Sequence, residues 1–185
     1  ALQGPPRALL ARITSLKLTY DYPNWTKQER LVEDPGSDIR AVEGTQVTVE
    51  LQTDTPVEAA ELVANGERVA MTSADGVNKA TLEVKKDGDY HISTLFNGDS
   101  VKLTDDYLIS LIADNKPVVK VLKPGRDWRA SNIEEVTVRV EASDDFGLDR
   151  VELRYSINGG AWATMPLEIE GKHALDQETL FLENM

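Results

Sequence analysis

The sequence predicts an all-β chain of two antiparallel β-sandwiches in series, the second lacking its last strand. Three observations predict it: a phrase that occurs twice, runs of alternating apolar residues, and turn residues spaced between those runs. Pro35-Gly-Ser-Asp-Ile-Arg-Ala41 returns 89 positions later as Pro124-Gly-Arg-Asp-Trp-Arg-Ala130, and Val47-Thr-Val49 returns as Val136-Thr-Val138. Eight of the fifteen positions from 35 to 49 are identical in the second copy, where average usage gives roughly one. An internal repeat fixes architecture before any motif does. This period is too long for a solenoid unit and close to the ~100 residues of a small sandwich.

The strands follow in order. Ile13–Tyr20 opens the first module. Gln46–Gln52 alternates strictly, with Val47, Val49 and Leu51 on one face and Thr48, Glu50 and Gln52 on the other, the pattern of a half-buried strand. Val57–Ala64 and Glu67–Met71 flank Asn65-Gly66 as a hairpin. Val57–Ala64 is also Ala- and Glu-rich enough to suggest a helix, but the partner copy has a strand and hairpin there, so it reads as strand. Ala80–Lys85, Gly88–Phe96 and Tyr107–Ile112 complete the set. The short stretch Pro6–Arg12 is the other helix candidate.

The second module begins after Ala113-Asp-Asn-Lys-Pro117, because Pro117 forces the preceding residue extended. Val118–Leu122 and Val136–Ala142 are its first strands. Asp149–Ile157 turns Val151, Leu153, Tyr155 and Ile157 inward, and Asn158-Gly-Gly160 supplies the positive φ of a hairpin returning through Ala161–Leu167. The predicted organisation is an extension 1–12, a sandwich 13–113, a linker 114–117 and a second sandwich 118–185. Carried by the offset, Tyr107–Ile112 falls at 196–201, past Met185. The second copy is therefore expected to end near its penultimate strand, at Thr179–Glu183, and to expose a strand edge. The first residue is Ala and no charged-then-apolar leader opens the chain, so it reads as a piece of something longer.

Composition removes several function classes. The net charge is −12, from 32 acidic and 20 basic residues. Phosphate binding needs clustered Lys and Arg, and Lys85-Lys86, the densest pair, is followed by Asp87, so neither nucleic acid nor an anionic membrane surface is an expected partner. No apolar run reaches the ~20 residues of a membrane span, so direct insertion is not expected. There is no Cys, hence no disulfide, zinc–thiolate site or thiol nucleophile. His91 and His173 stand alone, and no Ser lies in a nucleophile elbow. Asp105 and Asp106 are adjacent, and neighbouring strand residues point to opposite faces. No catalytic constellation is legible, and the expectation is a protein that is not an enzyme.

Ala142-Ser-Asp-Asp-Phe-Gly-Leu-Asp-Arg-Val-Glu-Leu153, leading to Asn158-Gly159, resembles bacterial immunoglobulin-like or fibronectin-III-like modules, which carry an A-x-D-x-x-G-[LV]-x-x-V-E-[LF] run before an N-G turn. Gly88-Asp-Tyr-His-Ile92 is similar to their late G-x-Y-x-I strand, and Asp114-Asn-Lys-Pro117 to their linkers. With Tyr20-Asp-Tyr-Pro23, the chain also resembles large bacterial envelope proteins of unknown function, in which membrane helices precede tandem modules and a long helical region follows. The resemblance covers residues 13–185. It implies two immunoglobulin-like sandwiches, extracytoplasmic placement (periplasmic or cell surface) with a membrane tether outside these residues, and a spacer or interaction role without catalysis. The partners it implies are other domains of the parent protein, another protein or a glycan.

Two candidate sites remain. Ser143–Gly147 lies at the pole where the chain enters the second module, beside Asp114 and Asn115. Asp144 and Asp145 would join them there, and Asp87 and Asp89 could approach from the first module. Calcium takes six to eight oxygen ligands from such groups, so calcium is the one cofactor considered. The set looks somewhat like a cadherin-type calcium junction, but that family's bidentate Glu motifs and D-x-D spacing are absent, and Asp-rich loops are also plain turn formers. Trp25 and Trp162 could stack on a sugar or anchor a peptide; such residues also cover sandwich edges. The twinned phrase reads as structural: Pro-Gly for a turn, Asp accepting local N–H groups, and Arg paired with that Asp. Ile39 and Trp128 share one place in it, which predicts a packed Trp128.

Overall fold

A computed structural model describes residues 11–131 and 133–181 and divides the chain into two compact units, one to Ala113 and one from Asp114. The predicted extension 1–12 and the helix candidate Pro6–Arg12 fall almost wholly outside the described residues. The rest is all-β, with no α-helix among the described residues and a single 3-10 turn at Asn24–Thr26. No helix is long and apolar enough to cross a membrane among the described residues.

The first unit contains β1 (Ile13–Asp21), β2 (Leu31–Glu33), β3 (Ile39–Val42), β4 (Gln46–Thr53), β5 (Glu58–Ala64), β6 (Glu67–Ala70), β7 (Thr72–Ala74), β8 (Val77–Glu83), β9 (Gly88–Phe96), β10 (Asp99–Lys102) and β11 (Tyr107–Ile112). One sheet runs β2-β1-β4-β8-β7 and the other β3-β11-β9-β5-β6, with β10 on β9. Strand alternation dictates the core. Directly opposed residues share a face, and the register sets Tyr20 against Val47 and Leu82, and Leu18 against Val49 and Ala80. These rows meet Ile39, Leu62, Tyr90, Ile92 and Ile109 of the second sheet in one buried cluster. On the outer face, Lys17 and Lys79 each lie 2.6 Å from Glu50. Their hydrogen bonds hold its carboxyl below the usual range.

The hairpin turns are those the dipeptides predict. Asn65-Gly66, Asp75-Gly76 and Asn97-Gly98 all have positive φ at both positions, the geometry that suits a two-residue hairpin to strand twist. Val57–Ala64 is a strand, β5, as its partner copy suggests. One pairing departs from the antiparallel expectation: β3 lies parallel to β11, with Ile39 opposite Ile109.

The second unit holds β12 (Val118–Lys123), β13 (Glu135–Ser143), β14 (Glu152–Tyr155), β15 (Ala163–Pro166) and β16 (His173–Phe181). Its sheets are β12-β13-β16 and β14-β15. The pairing repeats β1-β4-β8 and β5-β6 of the first unit, with Val138, Val140, Ala142, Leu148, Val151, Leu167, Ala174 and Leu180 as the core. Among the described residues it has no counterpart of β11, and none of β9 either. Thr179–Phe181, which the repeat offset places near a penultimate strand, is instead the end of β16, paired along its length with β13. The offset slips here because β16 starts 96 positions after β8, whereas β13 starts 89 after β4. A longer link before β16 absorbs the difference. Likewise Asp149–Ile157 is a strand only from Glu152, and Ile157 is exposed.

Trp128 is the clearest departure from expectation. It is 54% exposed, while Ile39, its equivalent, is fully buried. Ile39 is covered because β3 pairs with β11 inside a closed sandwich; no described strand does this for Trp128. The inner face of β12 shows the same lack. Val119 and Val121 lie opposite Ala142 and Val140, yet they are 59% and 51% exposed. Leu18→Ala is therefore expected to cost about 2–5 kcal/mol, and Val121→Ala less than about 0.5 kcal/mol. Denaturant unfolding of the respective units measures both. A comparable cost at the two positions would show that the face of β12 is covered.

Candidate functional site

The second unit gathers Asp114, Asp144 and Asp145, with one carboxylate oxygen of each within 4.8 Å of the others. Asp144 and Asp145 sit where β13 gives way to the loop Ser143–Gly147, and Asp114 opens the segment leading into β12. Asn115 joins them, donating its backbone and side-chain N–H groups to Asp145 Oδ2 at 3.2 and 3.0 Å. Asp144 Oδ2 accepts the amides of Phe146 and Gly147 at 3.1 and 2.9 Å, the turn chemistry Asp favours. Asp145 Oδ1 is buried and has no hydrogen-bond donor. Burial, then the charges of Asp145 and Asp144, push the Asp114 carboxyl up. For Asp145 burial acts upward too, but hydrogen bonds from Asn115 and its own main chain, with the charge of Lys172, together outweigh it and the carboxyl is held down. The donor set is all hard oxygen. Three carboxylates are half or less of a calcium shell, and one oxygen each of Asp144 and Asp145 is already engaged.

Asp87 and Asp89 belong to the first unit. Asp87 Oδ1 accepts the Leu111 amide of β11 at 2.6 Å. Asp89 lies near His91 and Asp106, a second group of potential ligand atoms within 4.8 Å. That group already holds a cation: Lys102 Nζ lies 2.7 and 2.9 Å from the two Asp106 oxygens and, first among the causes, keeps this carboxyl low. His91 Nδ1 is 3.0 Å from Asp106 Oδ1 but in a direction that makes no hydrogen bond. An ammonium in this place leaves little for a metal to do.

Trp25 is 47% exposed and Trp162 67%. They lie in different units, Trp25 in the 3-10 turn after β1 and Trp162 just before β15. The Arg154 guanidinium sits 6.0 Å above the Trp162 ring, at the outer limit of a cation–π contact.

The twinned phrase does something that sequence reasoning did not foresee. In the first unit it is a seam. Gly36 donates its amide to Leu16 O at 2.6 Å, Tyr90 Oη donates to Ser37 O at 2.5 Å, and Asp38 Oδ1 accepts the Leu108 amide of β11 at 2.8 Å. The Asp thus holds a strand 70 residues away rather than its own turn, and Arg40 is not its ion-pair partner. The two glycines serve different needs. A Cβ on Gly36 would meet Leu18 Cγ at 2.6 Å, whereas Gly125 has φ +69° and a Cβ there would make only ordinary contacts, with the Val121 and Leu122 carbonyl oxygens at 3.7 and 3.9 Å. The X-Pro bonds at Pro35 and Pro124 are both cis. The only signal for the seam is the recurrence of Asp, since its partner is remote in sequence. Asp38→Ala is expected to lower the stability of the first unit by roughly 1–2 kcal/mol, and Asp127→Ala that of the second by under about 0.5 kcal/mol. Equal losses in thermal melts would return both residues to a local turn role.

No family model and no curated protein matches the chain. Among solved structures it is similar to the fibronectin(III)-like modules of Clostridium thermocellum CbhA, at 16% identity over 78% of this chain and 89% of that one, with a TM-score of 0.34. A likeness this loose carries no argument about what the chain does.

Proposed function

We propose that these two units are a non-catalytic spacer and interaction segment of a larger bacterial cell-envelope protein, placed outside the cytoplasm and tethered through segments other than these residues. One observation supports the reading most. Several carboxylates are spent on main chain: Asp38 on Leu108, Asp87 on Leu111, Asp144 on Phe146 and Gly147, and Asp176 on Glu168. Side chains committed in this way define shape rather than chemistry. The acidic surface keeps the segment soluble and repels other anions. Its partners on this reading are the parent protein's other domains or a second protein. The resemblance of Ala142–Gly160 to bacterial modules, taken with Tyr20-Asp-Tyr-Pro23, supplies the envelope setting.

The exposure of Trp25 and Trp162 favours a second reading, a glycan- or peptide-binding module. Titration of the chain with soluble glycans and peptidoglycan fragments, followed by tryptophan emission and calorimetry, separates the two. A spacer gives no saturable heat. A binding module gives one that Trp162→Ala or Trp25→Ala reduces at least tenfold, about 1.4 kcal/mol.

A calcium-stiffened repeat is favoured only by the Asp114–Asp144–Asp145 group and its unpartnered oxygen. Melting of the chain with millimolar calcium, against the same chain in chelator, tests it. Binding at a hundred times the dissociation constant adds about 2.7 kcal/mol, a rise of several degrees that Asp145→Asn abolishes. An unchanged midpoint removes the reading.

A further inference from the structure

Asn is followed by Gly at Asn65-Gly66, Asn97-Gly98 and Asn158-Gly159. All three Asn are exposed, and each pair has positive φ at both residues. Such a pair carries its own chemistry, because a glycine without a Cβ leaves the approach to its nitrogen uncrowded. The glycine nitrogen attacks the asparagine side-chain carbonyl carbon. A bond forms between that nitrogen and Cγ, the Cγ–Nδ2 bond breaks, and ammonia leaves with the proton of the glycine N–H. Water then opens the five-membered imide at either carbonyl. One opening leaves aspartate, the other an isoaspartate whose main chain runs through the former side chain.

The three pairs differ in what this attack must disturb. Closing the imide rotates the main chain between the two residues, which breaks hydrogen bonds inside a ladder and costs little in a loop. At Asn65 the turn is two residues long, since Ala64 pairs with Glu67. The Asn65 N–H also donates to Asp89 O at 2.9 Å. Its side chain is wedged as well: a Cβ on Gly88 would collide with Asn65 Oδ1 and lie 2.6 Å from its Cγ, so the amide rests on the Gly88 main chain. At Asn97 the turn is equally short, with Phe96 paired to Asp99. At Asn158 the nearest ladder pair is Tyr155 with Ala163, which leaves seven residues between the strands. The Gly160 amide on Ile157 O and the Ser156 hydroxyl on Gly160 O, both at 2.9 Å, are the hydrogen bonds that tie this link among the described residues. Nothing lies within 4 Å of the Cβ position on Gly159.

We propose that Asn158 is a site of spontaneous deamidation in the folded protein, and that the packing of Asn65 on Gly88 protects an equally susceptible pair. The co-reactant is water, and neither an enzyme nor a cofactor takes part. The product adds one negative charge to a chain of net charge −12 and places a carboxylate four residues before Trp162. An isoaspartate there also lengthens the link between β14 and β15 by one main-chain carbon. The modification is independent of what the segment binds, so it stands or falls apart from the spacer reading.

The three pairs fall on separate tryptic peptides, Ala41–Arg68, Asp87–Lys102 and Tyr155–Lys172, so one experiment reads all of them. The whole chain is incubated in mildly alkaline buffer, folded and in parallel in denaturant. Conversion is followed by the mass of each peptide and by the separate retention of its isoaspartyl form. Denatured chains are expected to convert the three pairs at similar rates. Folded chains are expected to convert Asn158 within about threefold of its denatured rate, and Asn65 at least about tenfold more slowly than its own. Gly88→Ala puts a methyl where the Asn65 amide lies, and in chains that still melt cooperatively it is expected to raise the Asn65 rate. Protection of Asn158 equal to that of Asn65 overturns the proposal, as does folded-state conversion led by Asn65 or Asn97. An Asn65 rate that Gly88→Ala leaves unchanged in a folded chain overturns the role given to Gly88. Should that variant fail to fold, the folded-to-denatured comparison of the unaltered chain decides by itself.

Discussion

A β-sheet with one apolar face has to be covered, and everything else in this chain follows from how well that is done. The rows Tyr20–Val47–Leu82 and Leu18–Val49–Ala80 have no polar alternative, and burying each large side chain is worth about 1.5–3 kcal/mol. In the first unit a second sheet closes over them and the rows are nearly inaccessible to water. Among the described residues of the second unit, the corresponding β12-β13-β16 sheet faces only β14 and β15. The central strand β13 is covered, and the flanking β12 is not. One pattern of residues thus gives a closed core in one place and a half-bare face in another.

Closure depends on polar side chains as much as on apolar ones. A strand at the margin of a sheet has main-chain groups without ladder partners, and leaving such groups unpaired is costly where water is excluded. Asp38, Asp87 and Tyr90 clip the first unit's seam by meeting those groups directly or by tying down the segment beside them. This gives the acidic composition a physical meaning. Several of the carboxylates are acceptors for main-chain amides, and their abundance does not by itself indicate a ligand. Asp114 and the second oxygen of Asp145 stand apart from this rule: the fold holds both residues together with Asp144, and Asp145 Oδ1 is left without a donor.

Much of the fold is legible in the sequence. The alternation of Gln46–Gln52 and its copy places β4 and β13, and the Asn-Gly and Asp-Gly pairs place the hairpins, because both signals act over a few residues. The short edge strands β2, β7 and β10 carry no such signal, since three or four residues are too few to show a period. The approach of Asn115 to Asp145 follows from the pole at which the chain enters its sandwich, so that part of the candidate site is readable. The Lys102–Asp106 pair beside His91 is not readable as a site or as its exclusion, because its members come from separate strands and the segment between them.

The sequence by itself determined most of the longer strands, the turns and the duplication, since each rests on local periodicity, on backbone preference at single residues or on identity at a fixed offset. Only the tertiary structure decided what those strands cover. The Asp of the repeated phrase finds its amide 70 residues away, and Ile39 is buried while Trp128 is not. Both outcomes depend on whether a further strand lies alongside. Pairing between distant strands is a property of the assembled sheet, and no residue carries it alone.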